Sequence, residues 1–224
     1  MNGHNDMSMP QLATEGNGEF VQSATNNDIE KVKSLLASGE KVDVQGPKGW
    51  TALRAATNRG HYTMVMFLLS QGAYIEGKSM TGHTALIMAA SCGHTNILRL
   101  LLDAGAQPDA RDTYGSTALM EASQRGFVDI AKELLQRGAD PNIQSRSGKT
   151  ALMFAAENGS LALVKLLVEK GAISDFANTK DLVHCETALF LAERRGHKDI
   201  VDYLSATAGG FDAFKDYECF AVAE

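Results

Sequence analysis

The chain has 224 residues, of which 44% are hydrophobic and 21% are charged, as in many proteins that bury a sizeable core. Its net charge of −6 argues against broad non-specific binding to nucleic acid or to anionic membranes. The three cysteines are far apart and odd in number, which argues against a disulfide framework. Reduced thiols favour the cytoplasm, with a nuclear protein or a secreted effector as alternatives.

The beginning of the chain predicts neither a leader peptide nor a membrane anchor. Residues 1–17 are polar and are predicted to be disordered, and they lack the basic start and apolar run of a secretory signal. No stretch approaches the roughly 20 apolar residues of a membrane span. We therefore expect no membrane partner.

An internal repeat dominates the sequence from residue 51 onward. The tripeptide Thr-Ala-Leu occurs at intervals of 33, 33, 33 and 37 residues, beginning at Thr51, Thr84, Thr117, Thr150 and Thr187. A glycine follows nine residues after each threonine, and a Gly-Ala pair ends each of the first four of these units. A period of this length indicates stacked copies of one supersecondary unit.

Each unit is predicted to contain two short helices. The threonine is an N-cap residue, because its hydroxyl can accept a hydrogen bond from a free N–H of the first turn. The first glycine ends the first helix, since a left-handed residue is least strained as glycine. Leucine pairs such as Leu68–Leu69 and Leu134–Leu135 lie on the second helix, and the polar stretch after it suits a hairpin turn.

The stretch "GSTALMEASQRGFVDIAKELLQRGADPN" resembles an ankyrin repeat, and the resemblance covers residues 18–208. It implies an all-α ankyrin-repeat solenoid of helix-turn-helix units joined by β-hairpin loops. The first and last units are atypical, as expected of terminal repeats. The six predicted units span approximately 18–45, 46–78, 79–111, 112–144, 145–177 and 178–208.

The sequence departs from the family pattern at two places. Alanine replaces the usual proline after the threonine, and the usual histidine position holds Arg54, Ile87, Met120, Met153 and Phe190. The methionines and the isoleucine predict a more apolar contact between units. The last loop, "NTKDLVHCE" (178–186), is four residues longer than its counterparts. It is either a tolerated surface insertion or part of a binding surface.

Residues 209–224 form an aromatic and acidic tail. Phe211, Phe214, Tyr217 and Phe220 recur every third residue, which suggests one side of a short helix. Two interpretations stay open. The tail caps the apolar end of the last unit, or it lies back along a basic groove and inhibits binding there.

No residue pattern predicts catalysis, a metal site or a cofactor, and we expect that the protein is not an enzyme. His61, His94 and His197 occupy one repeated position after the helix-ending glycine, which marks a structural role. His184 and Cys185 are adjacent in the long loop, but two residues do not supply the four ligands of a structural zinc site.

Binding is therefore the expected activity, on the concave face that such solenoids present. The family's exposed positions in units two to five hold seven Lys or Arg and one acidic residue. We expect this face to bind another protein through an acidic or phosphorylated segment, with Trp50 as an apolar anchor. The candidate partner-binding residues are Lys48, Trp50, Arg59, Lys78, Met80, His83, Arg111, Tyr114, Arg125, Arg146 and Lys149.

The predicted function is that of a non-catalytic adaptor or regulator. The alternative is a structural subunit that is stably integrated into a larger complex. No small-molecule substrate is expected. Nucleic acid is a poor candidate, because the basic set offers few aromatic side chains on which bases could stack.

Overall fold

The computed structural model describes residues 18–173 and 186–207, apart from the side chain of Lys48. The predicted N-terminal segment (1–17), His184, Cys185 and most of the 178–186 insertion, and the tail (209–224) lie outside the described residues.

The described residues form six pairs of short α-helices, which confirms the all-α solenoid. The first helices of the pairs are α1 (Gly18–Thr25), α3 (Ala52–Asn58), α5 (Ala85–Cys92), α7 (Ala118–Arg125), α9 (Ala151–Asn158) and α11 (Ala188–Arg195). The second helices are α2 (Ile29–Ala37), α4 (Tyr62–Ser70), α6 (Thr95–Asp103), α8 (Val128–Gln136), α10 (Leu161–Glu169) and α12 (Lys198–Thr207). A 3₁₀ turn, Pro47–Gly49, precedes α3.

The helices are arranged in two layers. The first helices contact one another in chain order and form the inner layer, and α4, α6, α8, α10 and α12 form the outer layer. Each helix also packs on the other helix of its own pair. One continuous apolar core lies between the layers, with fully buried residues such as Leu68, Leu101, Leu134 and Leu167 at the same position of successive units.

The predicted helix starts and stops are confirmed. Thr51, Thr84, Thr117, Thr150 and Thr187 each accept a hydrogen bond from the backbone N–H three residues later, over 3.2 to 3.4 Å. Gly93, Gly126, Gly159 and Gly196 cap four of the first helices in the left-handed conformation. In the second unit the cap residue is Arg59, and Gly60 follows it with a φ of +75°. The local signals of the repeat therefore fix where each inner helix begins and ends.

The repeated histidines have the structural role that their register predicts. The Nε2 atom of His61 lies 2.9 Å from the carbonyl oxygen of Thr25, and that of His94 lies 3.3 Å from the carbonyl oxygen of Asn58. His197 makes the same contact with the carbonyl of Glu157 over 3.3 Å. Each ring thus joins the start of an outer helix to the end of the first helix in the preceding unit.

The apolar contact predicted from the isoleucine and methionines at the family's usual histidine position is confirmed. Ile87, Met120 and Met153 are buried in the core, as expected. Arg54 is also buried, and its guanidinium lies over the indole ring of Trp50, 3.9 Å from the ring centroid. A cation–π contact of this kind lets a charged group share an apolar environment.

Candidate functional site

The inner face of the solenoid is built from the ends of the first helices and from the loops that precede them. The position eight residues after each threonine, at this helix end, holds Arg59, Cys92, Arg125, Asn158 and Arg195 in successive units. Four of the five are exposed and Cys92 is half-buried. Because these positions recur once per repeat, they form a line of polar side chains along the array.

The loops are short turns that brace one another. The N–H of Asp112 donates to the carbonyl of Ser116 over 3.0 Å, and the N–H of Ser145 donates to that of Lys149 over 2.9 Å. Neighbouring loops are joined by a bond from the N–H of Arg146 to the carbonyl of Tyr114, 2.8 Å long. Within the described residues these loops form no regular strand, and an isolated bridge pairs Gln45 with Thr51.

Glycine at the loop tip permits this close approach. Gly82 has a φ of +76°, and a Cβ atom there would lie 2.7 Å from the backbone nitrogen of Thr113 in the next loop. Such a distance is shorter than any tolerated contact, so the tip accepts only glycine. The loops are therefore held in register with one another, and their exposed side chains form one surface.

Two apolar side chains project from this loop surface. Met80 is 77% exposed and Tyr114 is 63% exposed. Methionine and tyrosine are adaptable or amphipathic contact residues at protein interfaces. Both belong to the predicted site, and the structure leaves both accessible to a partner.

The basic loop residues have a structural as well as an electrostatic role. The Lys78 ammonium donates to the carbonyl of Arg111 over 3.3 Å. The Arg111 guanidinium donates to the carbonyl of Gly115 over 3.3 Å and also to the carbonyl of Gln144. Arg111 thus joins its own loop to the next one, while its charge stays at the exposed surface.

His83 forms part of a buried polar pair. Its Nε2 atom lies 3.2 Å from the Oδ2 atom of Asp112, whose side chain is buried. Burial alone would raise the pKa of Asp112, but the contact with His83 and the N–H groups of Ser116 and Tyr114 lower it on balance. His83 therefore joins two units and is only partly available for contact with a partner.

The prediction that Trp50 is an exposed apolar anchor is wrong. The side chain is 3% exposed and forms a small buried cluster with Val21, Ala55 and Met88. The indole has apolar neighbours on three inner helices as well as the Arg54 guanidinium above its ring, and burying it removes a large apolar area from water. Trp50 belongs to the core of the N-terminal half.

Lys149 is engaged within the protein. Its ammonium lies 2.8 Å from the carboxylate of Glu157, which is also 2.6 Å from Arg195 and 3.8 Å from Arg194. Burial raises the pKa of Glu157, but hydrogen bonds from Lys149 and Arg195 outweigh it, so the pKa is lowered. This cluster links the fifth and sixth units.

Arg194 and Arg195 are functional candidates that the sequence prediction missed. Their side chains are about half exposed, and Arg194 also pairs with the buried Glu186. They occupy the same inner positions of the sixth unit that Gln124 and Arg125 occupy in the fourth. The repeat register, counted from Thr187, predicts their position, but the predicted site covers units two to five only.

The remaining predicted residues are placed as follows. Arg59, Arg125 and Arg146 are exposed on the inner helix ends and on a loop. Lys48 belongs to the turn before α3, and its side chain is outside the described part of the chain. The structure thus brings most of the basic set onto one surface, and it removes Trp50 from that surface.

No group of three or more His, Cys, Asp or Glu side chains among the described residues could hold a metal ion. Burial raises the pKa of the Cys92 thiol, which makes it a poorer nucleophile at neutral pH. No described helix is both long and apolar enough to pass through a bilayer.

Comparison with known families agrees with the geometry. The family model for ankyrin repeats (three copies) matches residues 20–112, 74–145 and 119–215. A search of curated proteins found no match. Ankyrin repeats are generally non-catalytic modules for protein–protein interaction. Because the matches together span most of the 224 residues, the chain belongs to the ankyrin-repeat family.

Proposed function

We propose that the protein is an adaptor or regulator whose inner face binds an acidic or phosphorylated segment of a partner protein. The observation that supports this most strongly is that basic side chains on that face are more exposed to solvent than acidic ones. Arg59, Arg125 and Arg195 at the ends of the inner helices are exposed, whereas Glu121 and Glu186 are buried and Glu157 is half-buried. Glu19 and Glu193 are exposed acids on the same layer.

This difference makes the inner face more cationic toward solvent than its composition suggests. Glu157 and Glu186 already have basic partners, and only part of each carboxylate faces water. Arginine can bind a carboxylate or a phosphate through two parallel hydrogen bonds, which favours an anionic segment as the ligand. Met80 and Tyr114 on the adjacent loops supply apolar contact area beside the cations.

The proposal is tested by charge reversal with a matched control. Arg59→Glu with Arg125→Glu changes the inner face, and Lys41→Glu with Lys132→Glu makes the same change in net charge at exposed residues away from it. Affinity purification from the native source with quantitative mass spectrometry compares both pairs with the wild type. We expect the inner-face pair to lose the main partner by at least about tenfold, the effect of roughly 1.4 kcal/mol.

The control pair should recover the partner at the wild-type level. Recovery from wild type should also fall as salt is raised, because exposed ion pairs are screened. Equal recovery by the two double variants would contradict the inner face as the binding surface.

We propose that binding takes place in the cytoplasm, since the reduced state expected of the protein's cysteines fits that compartment.

The alternative function is that of a structural subunit bound permanently in a larger complex. Lys149 and His83 are half-buried, and both they and the exposed Arg111 make contacts within the array, which is compatible with a face that serves mainly to hold the array together. Size-exclusion chromatography of the native material distinguishes the two functions. A free pool of the 24.0 kDa chain supports the adaptor, and its absence supports the subunit.

A further inference from the structure

The outer helix of the second unit, α4, differs from the other outer helices. Its sequence, YTMVMFLLS, contains no charged residue, whereas each of the other five described outer helices contains at least two. The contrast is sharpest at Met66. The same position of the other units holds Lys33, Arg99, Lys132, Lys165 and Asp202.

The apolar residues of α4 are not all used by the core. Met66 is 49% exposed and Tyr62 is 43% exposed, while Met64, Val65 and Leu68 on the opposite side are buried. Phe67 and Leu69 are half-buried. The other units show that a charged residue suffices at the position of Met66, so the fold itself does not require this exposed apolar strip.

The strip continues into a groove toward α6. A cavity of about 280 Å³ is lined by Tyr62 on α4 and by Asn96, Arg99, Leu100 and Asp103 on α6. Arg99 is paired with Glu133 over 2.8 Å, and Asp103 is paired with Arg137 over 2.7 Å. An apolar centre with Met and Tyr and a polar, charged rim is the composition of protein interfaces.

We propose that this surface, defined by Tyr62, Met66, Arg99, Leu100 and Asp103, binds a second copy of the same chain. The charges on the rim support this occupant. Arg99 and Asp103 lie one helical turn apart on α6. A two-fold axis that runs α4 and α6 antiparallel to their copies places Arg99 opposite Asp103 of the partner subunit, and the reverse pair follows by symmetry. Each of these exposed ion pairs then gains a second oppositely charged neighbour beside Glu133 or Arg137 of its own chain.

The preceding unit fits the same arrangement. On α2, Glu30 and Lys33 are also an acid and a base separated by one turn; both are exposed, and they pair with each other over 2.7 Å. A standard interface buries roughly 800 Å² on each partner, so α4 needs contributions from the units on either side. In an antiparallel pair these flanking charges are complementary, whereas a parallel pairing of like helices would place equal charges together.

The dimer has a consequence for binding. The proposed contact lies on the outer layer, so the two inner faces stay free and point away from each other. A dimer would present two binding faces to a multivalent target and gain affinity through avidity. The inference does not depend on the proposed partner, because self-association is measured on the protein alone.

Sedimentation equilibrium of the full chain across the micromolar range tests the proposal. We expect the wild type to approach twice its 24.0 kDa mass and Met66→Lys to remain at the single mass. Lysine occupies this position as Lys132 and Lys165, so the variant should fold, which circular dichroism melting verifies. The matched control is Met80→Lys, another exposed methionine on a loop of the other face, and it should dimerise like the wild type.

A cysteine cross-link tests the geometry. Under mild oxidation Met66→Cys should form a covalent dimer in high yield, and Met80→Cys should not exceed the wild-type background. A wild type that stays monomeric overturns the proposal. A dimer that Met66→Lys leaves intact also overturns it, because the contact would then lie elsewhere.

Discussion

Glu157 shows how a single residue combines roles that its sequence position does not reveal. Its carboxylate forms ion pairs with Lys149 of its own unit and with Arg195 of the next unit, which follows residues 174–185 in the chain. The register predicts that Glu157 and Lys149 lie on the same face. It does not predict the contact with Arg195, because the last interval has 37 residues instead of 33, and the four extra residues shift the register of the sixth unit.

The lowered pKa of Glu157 makes stability depend on pH at this joint. Because the folded-state pKa lies below the ordinary value of a glutamate, the ion pairs stabilise the fold at neutral pH. That stabilisation is lost as the pH falls through the folded-state pKa. We expect Glu157→Gln to lower the free energy of unfolding at pH 7 by about 1–2 kcal/mol, as for other charge-assisted hydrogen bonds.

Urea denaturation of wild type and variant between pH 7 and pH 3 measures this. The difference between them should shrink toward acid pH, since the protonated wild-type residue no longer attracts the cations. Glu169→Gln, at an exposed residue of α10, is the control and should follow the wild-type curve. A Glu157→Gln deficit that is constant over the whole pH range would contradict the assignment.

At the scale of the element, the joint between units depends on a glycine that faces a side chain of the next unit. Gly60 has a φ of +75°, and a Cβ atom there would lie 2.8 Å from Cε1 of His94. In the unit where serine replaces the histidine, Ser160 is too short to fill this place, and the Nδ2 atom of Asn158 lies 3.0 Å from the corresponding position at Gly126. The glycine therefore has two functions, a left-handed turn and space for the neighbouring ring.

These two functions can be separated by substitution. Gly72 has a similar φ of +81°, but a Cβ atom there has nothing within 4 Å. We expect Gly72→Ala to cost only the backbone strain, about 1–2 kcal/mol. Gly60→Ala should cost at least about 1 kcal/mol more, because the added methyl overlaps the His94 ring.

Thermal and urea unfolding of the two variants provide the comparison. In a His94→Ala background the cost of Gly60→Ala should fall to that of Gly72→Ala. Equal costs in the wild-type background would show that the ring moves aside freely and that the glycine serves the turn alone.

The helices and their caps could be predicted because their signals are local and recur in every unit. The threonine hydroxyl accepts a hydrogen bond from an N–H group three residues later, and the glycine sets the backbone conformation of a single turn. The burial of Trp50 could not be predicted in the same way. The family pattern marks position 50 as exposed, but the cluster with Val21, Ala55 and Met88 joins three units and depends on which side chains happen to meet there.

In the whole molecule, the net charge of −6 does not come from the residues that the structure describes. The described residues hold 19 Lys or Arg and 19 Asp or Glu, and the two remaining basic and eight acidic residues lie in 1–17, 174–185 and 208–224. The repeat array is therefore neutral, and its overall acidity does not oppose a cationic inner face. Whether the tail 209–224 caps the array or lies on its basic groove stays a prediction.

Hydroxyl-radical footprinting of the free and the partner-bound protein shows whether a partner binds the inner face. The method modifies exposed Met and Tyr side chains, and each face supplies both kinds. These are Met80 and Tyr114 on the inner loops, and Met66 and Tyr62 on the outer helix. A partner on the inner face should protect Met80 and Tyr114 and leave the modification of Tyr62 and Met66 unchanged. Protection of Tyr62 and Met66 by the partner, with Met80 and Tyr114 still modified, would contradict binding at the inner face.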